Sequence, residues 1–166
     1  MTKRTTLKKV LIIACTAVML CSCADYSKIV FSEFRVNAID SLRYSLSDMR
    51  GIVHSSLTVD NPYFAMTLKD FQAAVVSPQG DSIADVRMDE GVTVEIAAKS
   101  RSQLEAPLRV HVRNPLKLIS RGFDVIDDMS KEGYVVNYSL AVSKGGKFHK
   151  INKKNVPLES FIKKEE

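Results

Sequence analysis

A chain of 166 residues, 45% of them apolar, is long enough to bury one core without disulfide or metal staples, and a single domain is the default. Its 24 Lys and Arg against 19 Asp and Glu give +5, but Lys3, Arg4, Lys8 and Lys9 crowd the amino end, so 20 (24 minus 4) face 19 in the rest. Near-balanced charge, no Trp and no aromatic residues interleaved with the lysines exclude a nucleic-acid surface built on phosphate contact and base stacking.

The basic cluster is followed by an apolar run from Val10 to Leu20 and then Cys21-Ser22-Cys23, the order of a secretory signal peptide. The run has little more than half of the roughly 20 apolar residues that a membrane span needs, which argues against an uncleaved anchor. The segment also looks like a bacterial lipobox, in which cleavage precedes a cysteine carrying thioether-linked diacylglycerol. Cys23 fits that role because small Ser22 precedes it; Cys21 competes but follows bulky Leu20. Cys15 and Cys21 then fall in the removed segment, which leaves Cys23 as lipidation site and no cysteine for a disulfide, thiol catalysis or metal. The expected organisation is residues 1–22 as leader, 23–29 as anchor and short linker, 30–156 as the domain and 157–166 as a charged tail.

Period-two alternation dominates the mature chain. Val53, Leu57 and Val59 read as a strand that stops at Asp60-Asn61-Pro62, because proline cannot donate to a ladder and biases Asn61 away from helix. Tyr63 and Phe64, just past that bend, read either as an exposed aromatic tip or as a plug at one end of a sandwich. From Met66 to Val76 the apolar phase shifts between Leu68 and Phe71, which predicts a bulge near Lys69 and Asp70. Ser77-Pro78-Gln79-Gly80-Asp81, Asp89-Glu90-Gly91 and Lys144-Gly145-Gly146-Lys147 carry turn chemistry, and a hairpin is expected at each. Val92, Val94 and Ile96, then Leu104 to Val112 on even positions, then Tyr134 to Val142, complete the alternating rows. One segment departs from the pattern: Asn114-Pro115 supplies a cap and a first-turn proline, apolar residues come after it at spacings of three and four, and Gly133 closes the helix, expected over about 115–132. The fold class is therefore mainly β, an antiparallel β-sandwich with one helix.

Chemistry-bearing constellations are sparse. His54, His111 and His149 each stand alone, without metal-ligand spacing, and His111 falls on the polar face of its strand. No glycine-flanked nucleophile, glycine-rich phosphate loop or paired-histidine motif occurs. Asp127-Asp128 and Asp89-Glu90 suit a solvated helix face and a turn. The expectation is no enzyme, no cofactor and no metal. Sugar-binding sandwiches present planar rings, and this chain lacks Trp. The basic end, with Lys150, Lys153 and Lys154 at its centre, suits phosphate, acidic glycan or lipid head groups, or equally a solvated lysine-rich strand.

The run Leu57-Thr58-Val59-Asp60-Asn61-Pro62-Tyr63, the turn Gly80-Asp81-Ser82-Ile83-Ala84, the strand Leu104-Glu105-Ala106-Pro107-Leu108-Arg109-Val110, one helix and the strand Val135-Val136-Asn137-Tyr138-Ser139-Leu140 occur in that order. This arrangement resembles the LEA type 2 family, also called the water stress and hypersensitive response (WHy) domain, over roughly residues 30–156. The family's signature continues Asn-Pro with asparagine, where Tyr63 stands here. The resemblance implies an immunoglobulin-like or fibronectin-like sandwich of about seven strands, no active site, and an association with dehydration stress or membrane-proximal roles.

The expected function is a non-catalytic protein, lipid-anchored to a membrane of the bacterial cell envelope, that interacts with a partner protein there or protects clients under stress. The alternative is a module for envelope lipid or glycan using the basic C-terminal region, with Tyr63, Phe64, Lys150, Lys153 and Lys154 as interaction residues.

Overall fold

The structure is a computed structural model that describes residues 26–120 and 125–162; the expected leader, Cys23 and residues 163–166 lie outside the described residues. Eight strands dominate: β1 (Val30–Tyr44), β2 (Asp48–Asn61), β3 (Met66–Val76), β4 (Ser82–Met88), β5 (Thr93–Ile96), β6 (Ser100–Arg113), β7 (Val135–Lys144) and β8 (Lys147–Pro157). They form one antiparallel sheet in the order β1-β2-β6-β4-β3-β7-β8, with β5 beside the first part of β3. The sheet folds over on itself. Phe31 of β1 meets the ring of Tyr138 of β7 edge-on at 5.7 Å although four strands separate them along the ladder, so the two halves enclose a core in sandwich fashion. The expected mainly-β, antiparallel sandwich is the observed class, with eight strands where about seven were expected.

Alternation sets what is enclosed. Leu104, Leu108 and Val112 of β6 are buried while Glu105 and Arg109 are exposed, and Tyr138, Leu140 and Val142 do the same for β7. The bulge expected near Lys69 and Asp70 is present: register shifts between Lys69 and Gln72, Asp70 takes a left-handed φ of 55°, and Leu68 and Phe71 both reach the core. Burial drives the Tyr138 phenol up to about 12.

Two of the three expected hairpins form. Ser77 to Asp81 joins β3 to β4, and Gly145 and Gly146, both at positive φ, make the two-residue loop between Lys144 and Lys147. Asp89-Glu90-Gly91 does not reverse the chain. β4 and β5 both run antiparallel to β3, one after the other, so this turn interrupts a single line of strand. The physical reason is that β4 also pairs with β6, whereas β5 leaves that ladder and returns to β6 through the tight turn at Lys99, φ 45°. The reversal therefore sits between β5 and β6.

The helical segment also differs from expectation. In place of one helix over about 115–132, the described residues carry α1 (Pro115–Ile119) and α2 (Val125–Lys131), with 121–124 outside the described set. Asn114 makes no side-chain cap; it is left-handed (φ 53°), turning the chain out of β6, and its N–H donates to the Ser47 carbonyl in the β1–β2 turn. Gly133 does close α2, at φ 83°, with Tyr134 N–H reaching back to the Met129 carbonyl at 3.1 Å. No helix among the described residues is long and apolar enough to cross a membrane.

Candidate functional surfaces

Three places on the domain gather side chains that could meet another molecule. The first is the end where the described chain begins. Asn61, fully buried at the close of β2, organises it: its carboxamide nitrogen donates to the carbonyls of Phe64 (3.0 Å) and Ala97 (2.8 Å), and its oxygen accepts from Tyr63 N–H at 3.0 Å. Lys99 N–H adds a bond to the Tyr63 carbonyl at 2.7 Å. The Asn-Pro bend is thereby tied to the β5–β6 turn. Tyr63 and Phe64 are half-buried against the core, and the Phe64 ring lies under the Lys144 ammonium at 3.7 Å. Tyr26 stacks on His149 at 4.9 Å and meets Phe64 edge-on at 6.4 Å, which holds the first of the described residues at this same end.

The three lysines singled out from the sequence do not converge as one set. Lys150 is exposed opposite Ala141, Lys153 is half-buried opposite Tyr138, and Lys154 is exposed further along β8. Sequence proximity grouped them, but successive strand residues point to opposite faces. Lys153 and Lys154 line a shallow groove of roughly 610 Å³, across which Arg87, Gln72, Ser139 and Asn152 stand in one register row, and Lys150 lies outside that lining.

The second place is the free side of β1, which sequence reading did not single out. Val36, Ile39, Leu42 and Tyr44 pair with Ser55, Val53, Gly51 and Met49, which in turn pair with Ala106, Leu108, Val110 and Val112. Opposite residues in a ladder share a face, so this row continues the core-facing side of the sheet. Yet Ile39 is 59% exposed, Tyr44 70%, and Leu46 in the following turn 73%. Register shifts after Val36 and Ile39 each insert one extra residue, which keeps residues three apart on a single face. Gly51 suits this arrangement, because a Cβ there would sit 2.6 Å from the Ser41 carbonyl oxygen.

The third is a charged network on the outer face of β2, β6 and β4. His111 Nε2 bonds to the Asp48 carboxylate, Arg50 holds the same carboxylate at 2.9 Å, and Arg113 reaches Asp85 at 2.6 Å. Hydrogen bonding from His111 is the main influence that holds the Asp48 carboxyl below its ordinary range; Arg109 does the same for Asp89. The other ring nitrogen of His111 faces Asp85 at 3.9 Å, so both nitrogens are directed at carboxylates. The arrangement ties three strands together and leaves no ring nitrogen turned towards open space. Among the described residues, no group of three or more His, Cys, Asp or Glu side chains is set to hold a metal ion.

The chain matches no protein-family model, and no curated protein matches it. Among solved structures it is similar to a crystal structure of a protein from Archaeoglobus fulgidus, at 14% identity and a TM-score of 0.36, over 70% of this chain and 91% of that one. It is also similar to a beta-glucuronidase from glycoside hydrolase family 2, at 12% identity and a TM-score of 0.31, over 72% of this chain and 11% of that one.

Proposed function

We propose that this is a non-catalytic protein, lipid-anchored through Cys23 in the bacterial cell envelope, whose LEA type 2-like domain presents the outer strand β1 to a partner or client protein. The observation that carries the interaction half of this reading is the apolar row Val36, Ile39, Leu42 and Tyr44 on an edge strand that pairs only with β2. An edge of this kind offers unpaired ladder groups together with apolar side chains, the two ingredients of strand addition. The anchor half rests on the leader pattern and on Tyr26, three residues past Cys23, being held by Phe64 and His149. A tether that short confines the domain to the membrane surface and raises its effective concentration for neighbouring partners. Diacylglycerol on the thiol plus an acylated amine would supply the more than one chain that stable anchoring needs.

Two measurements test the reading together. Mass spectrometry of the native protein is expected to find residue 23 at the amino terminus carrying lipid, and Cys23→Ser is expected to release the protein from membranes washed with high salt and carbonate. A photo-crosslinker at Leu42 in the anchored protein is expected to capture a protein that one at Glu105 does not. A variant still membrane-bound without Cys23, or equal capture from both positions, would count against the corresponding half.

A second reading is favoured by the outer groove: amide and cationic side chains at Gln72, Asn152, Arg87 and Lys154 suit an acidic envelope glycan. Binding of acidic polysaccharide that falls with rising salt and with Arg87→Gln plus Lys154→Gln would support it.

A further inference from the structure

We propose that the end of the sandwich where the chain begins is a second membrane contact, an electrostatic and aromatic face for anionic phospholipid headgroups that holds the anchored domain upright. The inference rests on the Cys23 anchor. Only two residues, Ala24 and Asp25, separate Cys23 from Tyr26, and three steps of chain reach at most about 11 Å. Tyr26 cannot swing away freely, because its ring is stacked on His149 and set edge-on against Phe64. An anchored domain must therefore bring this end, rather than the β1–β2 turn, to the bilayer.

What stands there fits an anionic surface. Lys28, Lys99, Lys144 and Lys147 are exposed around the start of the chain, the last two flanking the Gly145-Gly146 tip. The acidic groups at the same end are Asp60 and Glu95; Glu33 is paired with Arg101, and Asp70 with Lys69. The balance is basic. At the opposite end, Arg50 and Arg113 are paired with Asp48 and Asp85, and Asp81, Asp127, Asp128 and Glu132 stand with Arg43 and Lys131, so the described side chains there carry no positive excess. Two rings accompany the cations: Phe148, 44% exposed, under Lys69 at 3.9 Å, and Phe64 under Lys144. Rings capped by ammonium groups suit the headgroup layer, where one edge is apolar and the other wet. Each lysine held within a Debye length of an anionic leaflet strengthens association about fivefold. Lys150, Lys153 and Lys154, further along β8, are not part of this face.

The chain contains no Trp, so one can be placed as a unique reporter. The lipidated full-length protein carrying Phe148→Trp or Leu46→Trp would be reconstituted into phosphatidylcholine vesicles with bromine on the acyl chains, with or without phosphatidylglycerol. The Phe148→Trp fluorescence is expected to be quenched more strongly when phosphatidylglycerol is present. That gain is expected to vanish at high salt and to fall about 25-fold in apparent headgroup affinity when Lys144→Gln and Lys147→Gln are combined. The Leu46→Trp reporter is expected to stay unquenched throughout. Quenching at Phe148→Trp that ignores headgroup charge, salt and both lysines, or quenching of the Leu46→Trp reporter to the same degree, would overturn this inference while the protein still floats with the vesicles. Failure to float with any vesicle would instead remove the anchor itself.

Discussion

Asn61 illustrates how much one side chain can hold. It accepts one hydrogen bond and donates two, all to backbone groups of the bend and of the β5–β6 turn, from a fully buried position. Truncation would leave the carbonyls of Phe64 and Ala97 and the N–H of Tyr63 without that partner, and an unsatisfied buried group costs about 1–3 kcal/mol. Asn61→Ala is therefore expected to lower the urea midpoint by an amount corresponding to at least about 2 kcal/mol, whereas Asn61→Asp is expected to lose the donor bonds alone. Asp48 makes a different case, because its carboxyl is held below the ordinary value of 3.8 chiefly by the His111 hydrogen bond. A carboxyl with a depressed folded-state pKa adds stability that is present above its unfolded value and is lost as pH falls through the folded one. Stability of the native protein is thus expected to fall as pH is taken below about 3.8, and Asp48→Asn to fall less over the same range, by urea unfolding at a series of pH values. The Asn-Pro bend after β2 was legible because proline cannot continue a ladder, whereas the stacking of Tyr26 on His149 was not. Those rings lie more than a hundred residues apart, and only the closure of the sheet brings them together.

At the scale of elements, what could be read depended on whether burial kept step with the pleat. β6 and β7 alternate cleanly, since each has one face on the core; β7 was readable to within a residue or two, whereas β6 begins at Ser100, four residues before the alternation at Leu104 marks it. β1 escaped because its register shifts insert extra residues, so an apolar row that is continuous in space has spacings of three in sequence. Asp89-Glu90-Gly91 was misread for a related reason: the same residues that reverse a hairpin also break a strand, and only the pairing of β4 and β5 along one edge of β3 distinguishes the two. The helical segment starts at Pro115 and ends at Lys131, close to the expected bounds, but as two helices among the described residues, and the cap expected from Asn114 is replaced by a left-handed backbone turn. Gly51 offers the sharpest check on the β1–β2 ladder. Its missing side chain leaves room for the Ser41 carbonyl and for Leu42, so Gly51→Ala is expected to cost about 1–3 kcal/mol despite the better strand propensity of alanine. At Gly146, where φ is 82° and nothing lies within 4 Å of an added Cβ, alanine is expected to cost only the backbone strain, about 1 kcal/mol. Thermal or urea unfolding of the two variants side by side separates steric overlap from strain.

On the scale of the whole molecule, β1 runs from the end that holds Tyr26 to the opposite end, and because its bulges match it to only eleven steps of β2, Asp60 to Met49, the span is about 37 Å at the usual strand rise. If the protein is anchored through Cys23 as proposed, the far part of its apolar row, Leu42 and Tyr44, would stand away from the bilayer, where a protein partner and not a lipid tail would meet it. The row lies on the core-facing side of the sheet, yet it is solvent that covers it, and that contrast yields a prediction that separates binding from folding. Ile39 is 59% exposed and Leu42 53%, so replacing both with Arg removes little buried surface, and the unfolding midpoint is expected to move by less than about 0.5 kcal/mol per site. Leu140, 1% exposed in β7, is the control: Leu140→Ala is expected to cost about 2–5 kcal/mol through lost contacts and a cavity. If β1 is a docking edge, the Ile39→Arg plus Leu42→Arg protein stays folded and anchored but loses the crosslinked partner, because two like charges on adjacent positions of an edge repel an incoming strand. Should the double variant unfold as readily as Leu140→Ala, the row would belong to the core and β1 would have no role in recognition.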